Sequence, residues 1–360
     1  MSQHCQIKTT CPYCGVGCGV DATIDNDRII AVSGDRSHPA NLGKLCVKGS
    51  ALPQTMGDKG RLKHPIIEGQ QVDWPTAIKT VAHTLTQVRD QYGSDAIAFY
   101  LSGQLLTEDY YVANKFAKGF IGTGHVDTNS RLCMSSAVAG YKRAFGSDAV
   151  PCNYEDLEQC NLLVLTGSNA AWTHPVLYRR MAEAKNNNPD LKVVVIDPRR
   201  TASCDLADLH LAITPGSDHF IFTGLLNFLA SNAFIDQQYI ESHTEGFTET
   251  LANAEAATVD ETAAQAGLNK DQLITFYQWF AETDKVITFY SQGINQSATG
   301  TDKCNAIINC HLATGRLGKL GAGPFSITGQ PNAMGGREVG GLANMLAAHM
   351  DYTPENITTV

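Results

Sequence analysis

Positive charge is in short supply in this sequence: 27 Lys and Arg stand against 36 Asp and Glu, a formal net charge of −9. That balance argues against a nucleic acid or an anionic membrane surface as the main partner, and an anionic substrate has to be drawn in by a local basic funnel. No run of 18 apolar residues occurs, so no membrane-spanning helix is expected. Residues 1–10 hold neither a basic segment followed by an apolar stretch nor a twin-arginine pair. The expectation is therefore a cytoplasmic protein that is neither exported nor anchored. Charged residues make up only 18% of the 360 while 43% are hydrophobic, enough apolar material for two or three packed cores and too much for a disordered chain.

Cysteine, by contrast, is plentiful. Eleven cysteines in a chain without an export signal stay mostly reduced, so clustered ones are metal ligands before they are disulfides. Cys11, Cys14 and Cys18 share one tight loop and Cys46 follows at a distance. Four thiolates suit a tetrahedral zinc or an iron–sulfur cluster. Zinc prefers two Cys-x2-Cys knuckles and the second is missing, whereas three near cysteines and one remote one fit the corners of a 4Fe–4S cubane better. Gly15, Gly17 and Gly19 let backbone N–H groups approach the sulfurs.

Around these cysteines, strands at 20–24 and 28–32 flank an Asp25-Asn26-Asp27 turn, a small β unit built on a metal. From Trp74 the pattern turns helical: Ile78, Val81, Leu85 and Val88 recur at helical spacing until Gly93, and a strand follows at 96–101. Further helices are expected at 107–120, 135–145, 175–184, 218–230, 259–266 and 270–282, with strands near Val126 and at 162–165, 191–196 and 286–290. This alternation implies an α/β fold of parallel sheets with helices on both faces. Residues 315–341 carry nine glycines and read as loop. The chain stops at Val360 in mid-pattern, which suggests the front part of a longer protein.

Three strand-to-helix turns stand out. Leu162 to Thr166 runs into Gly167-Ser168-Asn169, a glycine turn that points backbone donors at an anion. The next strand ends on Asp197, suited to a sugar hydroxyl or a purine edge, and Gly216-Ser217-Asp218 adds amides at another helix start. The second and third glycines of the dinucleotide fingerprint are missing, which weakens an NAD reading. Plain βαβ turns, with Asp197 capping, would account for the same residues without a ligand. Three such turns in one chain favour an extended phosphate-bearing ligand.

The segment Cys11-Pro12-Tyr13-Cys14-Gly15-Val16-Gly17-Cys18, with Cys46-Val47-Lys48-Gly49 and the later Gly329-Gln330-Pro331-Asn332-Ala333-Met334-Gly335-Gly336-Arg337, resembles the molybdopterin oxidoreductases that bind Mo-bis(molybdopterin guanine dinucleotide). Within that family, 129–137 and 292–296 are most similar to the assimilatory nitrate reductase branch. The resemblance implies a small β-rich 4Fe–4S domain (1–58), an α/β domain made of 59–104 plus 285–360, and a Rossmann-like guanine-dinucleotide-binding domain (105–284). The family's C-terminal β-barrel domain has no counterpart here.

The same resemblance implies that Cys11, Cys14, Cys18 and Cys46 hold the cluster, that Lys48 bridges cluster and pterin, and that Cys133 is the thiolate on molybdenum. Gln104 and Asn129 match pterin contacts. Gly167, Ser168, Asn169, Asp197, Gly216, Ser217 and Asp218 match guanine dinucleotide contacts, and Gln292 and Gln296 flank the metal centre. The remaining cysteines (Cys5, Cys152, Cys160, Cys204, Cys304, Cys310) and His64, His174, His210 and His311 match no role. The implied activity is reduction of nitrate to nitrite, with electrons from a ferredoxin, a flavodoxin or an NADH-dependent reductase subunit, and Arg131 and Arg337 are candidate cations at the substrate mouth. Formate dehydrogenases of the family usually carry His after the metal-binding Cys or selenocysteine, where this chain has Met134. Beside these two enzyme readings stand a non-catalytic cofactor-holding module and a zinc-stapled NAD enzyme.

Overall fold

The computed structural model describes residues 5–26 and 28–359. Residues 1–4, part of the stretch read for targeting, Asp27 of the expected turn, and Val360, where the chain stops, lie outside the described residues. Packing divides the chain into two units, one made of the chain up to Tyr13, Gly17–Leu132 and the chain from Gln330, the other of Cys14–Val16 and Cys133–Gly329.

The first unit opens with an antiparallel sheet of β1 (Cys5–Thr10), β2 (Gly19–Asp25) and β3 (Arg28–Gly34), in the order β1-β2-β3. Asn26, between β2 and β3, takes a left-handed φ of 49°, which Asn tolerates better than most residues. Strand β1 adds to the two expected from the sequence. Every one of its residues is exposed, so no alternation of burial marks it. A short antiparallel pair, β4 (Ile66–Ile67) and β5 (Gln70–Gln71), precedes the helix Trp74–Tyr92. Asp73 accepts a hydrogen bond from Thr76 N to start that helix, Pro75 fits its first turn, and Gly93 at φ 86° ends it. Of its residues only Ala77 is buried; Trp74, Ile78 and Val81 stay exposed. Strands β6 (Phe99–Leu101) and β7 (Val126–Thr128) pair in parallel. The helix expected at 107–120 is α-helical over Thr107–Lys115 and widens to a π-helical turn over Phe116–Ile121. There Lys118 turns inward, donating to the carbonyls of Gly340 (3.0 Å), Leu342 (2.6 Å) and Met345.

The second unit is built on one parallel sheet of β8 (Leu162–Thr166), β9 (Lys192–Ile196), β10 (Leu209–Leu211), β11 (Val286–Tyr290) and β12 (Gly323–Ser326), in the order β10-β9-β8-β11-β12. All of β8 and β11 is buried, which is why both read as unbroken apolar runs rather than alternating strands. Strand β12 overturns the expectation that 315–341 is all loop. It lies at the sheet edge, where Pro324 forfeits no central ladder bond. The sequence division joined 285–360 to 59–104; in the structure β11 and β12 share a sheet with β8 to β10, and only the chain from Gln330 goes with the first unit. The helix expected at 135–145 begins at Asn129 and runs to Phe145, so Cys133 is helical. Among the described residues no helix is long and apolar enough to cross a membrane.

Candidate active site

Strand order locates the site. Successive connections from β8 run outward one way through β9 and β10, and the chain returns to place β11 on the other side of β8. In open parallel sheets ligands settle at the carboxyl ends of the two strands where this reversal occurs. Here those ends are Gly167-Ser168-Asn169 after β8 and Ser291-Gln292-Gly293 after β11. The two loops touch backbone to backbone: Gly293 N donates to Gly167 O (2.9 Å), a Cβ on Gly293 would lie 2.5 Å from Gly167 Cα, and Gly167 itself holds φ +56°. Only glycines fit this close approach.

Cys133 meets this crevice. Its buried thiol accepts a hydrogen bond from Gln292 Nε2 (2.9 Å) and lies 3.9 Å from Thr328 Oγ1. The Ser291 hydroxyl shares its proton between Gln292 Oε1 and Ile327 O, and the Gln292 amide stands with its N–H side toward sulfur. His174, buried between the helices Ala170–Thr173 and Pro175–Asn187, donates from Nε2 to Thr328 O (2.7 Å). Next along the helix, buried Met134 accepts from Asn295 Nδ2 at 3.4 Å. Gln296 is exposed, one residue past the short helix Gln292–Asn295.

The nucleotide-type residues line the same edge of the sheet. The Ser168 hydroxyl is buried with no partner among the described residues, a donor that awaits a ligand. Asn169 Oδ1 accepts from Ser203 Oγ (3.0 Å), and Asp197 Oδ1 accepts from Arg199 N (2.9 Å). Gly216 is exposed at φ +92°, and Ser217 Oγ donates to Thr214 O (2.7 Å). Asp218 is buried and its Oδ2 pairs with Lys303 Nζ at 2.7 Å. Lys303 carries no sequence signal of that kind: its place on the helix Gly300–Ala313 reads as an ordinary charged position until the fold brings the two helices together.

In the first unit, Gln104 and Asn129 come together at the carboxyl ends of β6 and β7. Asn129 Oδ1 accepts from Gly103 N (2.7 Å), and Gln104 beside it is exposed. The Gly-rich motif reaches the same loop, since Asn332 N donates to Gly103 O (3.1 Å). Arg131 is exposed and paired with Asp127 of β7, while Arg337 is half-buried.

None of the four motif cysteines forms a disulfide among the described residues, and all four are buried. Cys11 N donates to Cys18 O (2.8 Å), closing the loop, and a Cβ on Gly49, just past Cys46, would stand 3.7 Å from Cys11 Sγ. Lys48 is half-buried on the short helix Val47–Ser50 that Cys46 caps. The N–H of buried Val16 has no protein acceptor among the described residues, and Gly17 ends the turn that begins at Cys14. An unmet buried donor beside thiolates suits an anionic iron–sulfur cluster. Among the described residues no three His, Cys, Asp or Glu side chains converge on a point for a single metal ion.

Comparison with known proteins agrees. Residues 6–58 match the molybdopterin oxidoreductase Fe4S4 domain and residues 61–358 match molybdopterin oxidoreductase. The chain is 56% identical over 352 residues to a nitrate reductase of Klebsiella oxytoca, covering 98% of this chain and 40% of that protein. It is 52% identical to a nitrate reductase of Shewanella frigidimarina, over 96% of this chain and 38% of that protein. An F420-dependent formate dehydrogenase subunit alpha of Methanocaldococcus jannaschii is 31% identical over 95% and 50%. The chain thus spans about two fifths to one half the length of these curated relatives. Acetylene hydratase from Pelobacter acetylenicus superposes with a TM-score of 0.73 over 85% of this chain and 42% of that chain; at 19% identity this shows the fold alone. The zinc and NAD readings find no support in these matches. A cysteine-rich front segment, a thiol at the reversal point of a parallel sheet and family patterns over nearly the whole sequence agree: the chain belongs to the molybdopterin oxidoreductases.

Proposed function

We propose that the chain holds a 4Fe–4S cluster on Cys11, Cys14, Cys18 and Cys46 and a Mo-bis(molybdopterin guanine dinucleotide) with Cys133 as metal ligand, and that it reduces nitrate to nitrite in cytoplasmic nitrate assimilation. One observation carries the reading: the Cys133 thiol stands in the switch-point crevice with an amide N–H on its sulfur and an apolar thioether, Met134, beside it. The 56% and 52% identities to nitrate reductases support the substrate. When bound, the cofactor supplies two-electron oxygen-atom transfer and the cluster supplies electrons singly.

The chain's own residues do the rest. The Gln292 N–H draws negative charge from the Cys133 sulfur, which makes the thiolate a weaker donor to its metal and raises the potential there. Ser168, Asn169, Asp197, Gly216, Ser217 and Asp218 hold the guanine dinucleotide part, and Gln104 and Asn129 the pterin. Lys48, separated from Cys46 by Val47 alone, offers a cation on the electron path. Removing one oxygen from nitrate takes two electrons and two protons, and Met134 can neither give nor take a proton. Formate oxidation, the second reading, is assisted by a base next to the metal, for which an imidazole has a suitable pKa; the buried thioether at 134 disfavours it. The electron donor is a ferredoxin, a flavodoxin or an NADH-dependent subunit.

Assaying nitrate reduction with a low-potential dye and formate-dependent dye reduction on one molybdenum-loaded preparation tests the proposal. Nitrite without formate oxidation is expected; robust formate oxidation without nitrite overturns it.

A further inference from the structure

Tyr154 lies outside every motif, yet it reaches the cysteine loop across 139 residues of sequence: its hydroxyl donates to Gly15 O at 3.1 Å and Val16 O at 3.2 Å. Near-equal distances mean one proton shared between two carbonyls. The ring is held by two contacts, stacked on Phe325 (centroids 6.1 Å apart, planes at 27°) and with the guanidinium of Arg180 5.9 Å from its centroid. Arg180 is itself buried and fixed by Glu158 at 2.6 Å. The loop that carries Tyr154 is also tied down, because Asp156 accepts from Asn153 N (2.8 Å) and from Gly321 N (2.8 Å). Gly15 completes the dock: its N donates to Gly329 O (3.1 Å), and a Cβ there would sit 2.2 Å from Thr328 O.

A trans peptide sets C=O and N–H antiparallel. Gathering the Gly15 and Val16 carbonyls at one hydroxyl therefore turns the Val16 and Gly17 N–H groups to the opposite side, and of these the buried Val16 N–H is left without a protein acceptor among the described residues. Gly17, at φ +67°, gives the left-handed turn that lets successive N–H groups form a concavity for an anion, iron–sulfur sites included.

We propose that Tyr154 is a positioning residue for the cluster: by holding two carbonyls of the Cys14–Cys18 loop it aims that loop's N–H groups at the cluster sulfurs and so raises the cluster's reduction potential. The inference rests on the cluster assignment and is independent of nitrate as substrate. N–H dipoles aimed at sulfur favour the more negative, reduced cluster, so loosening them lowers the potential.

The test is Tyr154→Phe, which keeps the ring and removes only the hydroxyl, with Phe325→Leu as the packing control, each in the cluster-loaded protein. Visible spectroelectrochemistry reads the cluster and iron analysis reads its content. At a fixed applied potential the reduced-to-oxidised ratio in Tyr154→Phe should fall about three- to tenfold, the scale of one net hydrogen bond, or about 30–60 mV at 59 mV per tenfold. Iron content should hold, and Phe325→Leu should keep the parent potential. Loss of the cluster from Tyr154→Phe alone also supports the hydroxyl's role. A parent-like potential in Tyr154→Phe, an equal shift in both variants, or loss of the cluster from both overturns it.

Discussion

Replacing Lys303 by Met puts the buried Lys303–Asp218 pair to the test. The two side chains are 2% and 7% exposed and meet at 2.7 Å. Deleting the ammonium leaves a buried carboxylate, a change that costs about 3–5 kcal/mol when one partner of such a pair is removed. Asp218 is the first residue of the helix Asp218–Ser231, and the positive end of that helix offsets about 1 kcal/mol of the loss. The net, about 3 kcal/mol, falls on a unit of roughly 200 residues, for which each kcal/mol is worth about 2–4 °C. Thermal unfolding followed by circular dichroism should therefore show Tm lowered by about 6–12 °C. Adding Asp218→Leu to Lys303→Met removes the stranded charge and should restore most of that loss, because apolar replacement of a whole buried pair is often neutral. A single variant within about 1 °C of the parent, or a double variant less stable than the single, would refute the reasoning. The pair also bears on the proposed guanine dinucleotide site, to which Asp218 is assigned, since Lys303 takes its Oδ2.

Cys18→Ala should abolish the broad visible absorbance of the cluster; unchanged iron and sulfide would remove that cysteine from the ligand set. Gly167→Ala forces a side chain into a φ of +56° and to within 2.9 Å of the Gly293 backbone, and should lower molybdenum content at unchanged iron, read by metal analysis. His311 is fully buried beside Thr288 Oγ1 at 2.8 Å, and burial, helped by the charge of Arg316, holds its pKa well below the usual value. The unfolded chain then binds a proton that the folded chain refuses. Stability from this group is complete above about pH 6.5 and is lost as pH falls below it toward the folded pKa. Denaturant unfolding between pH 7 and 5 should show that slope, and His311→Gln should flatten it; an equal slope in the variant assigns it elsewhere.

Much of this was legible because local chemistry dictated it. Apolar runs such as Leu162 to Leu165 and Val286 to Tyr290 have no stable place except a sheet covered on both faces, and four cysteines at that spacing have few uses in a reduced chain. Strand β12 escaped because Gly323 and Pro324 weaken every local strand signal, and only pairing with β11 makes a strand of them. Strand order is likewise non-local, so the three turns looked equivalent until β11 was found beside β8. Cys133 by itself reads as a buried apolar cysteine. Its meaning comes from Gln292, 159 residues away. His174, read as structural, does hold structure, but the carbonyl it holds belongs to Thr328 beside the Cys133 thiol. Tyr154 gave no signal, since a lone tyrosine in a polar loop resembles any other.

Cys133→Ser is the most direct test of the central claim, that the switch-point thiol is the molybdenum ligand. In purified molybdenum-loaded protein the variant should keep its iron and its visible cluster spectrum, because Cys133 is remote in sequence from the four cluster cysteines, while nitrite formation with an artificial donor collapses. Activity near the parent level, with iron and molybdenum both retained, would show that the metal takes its protein ligand elsewhere.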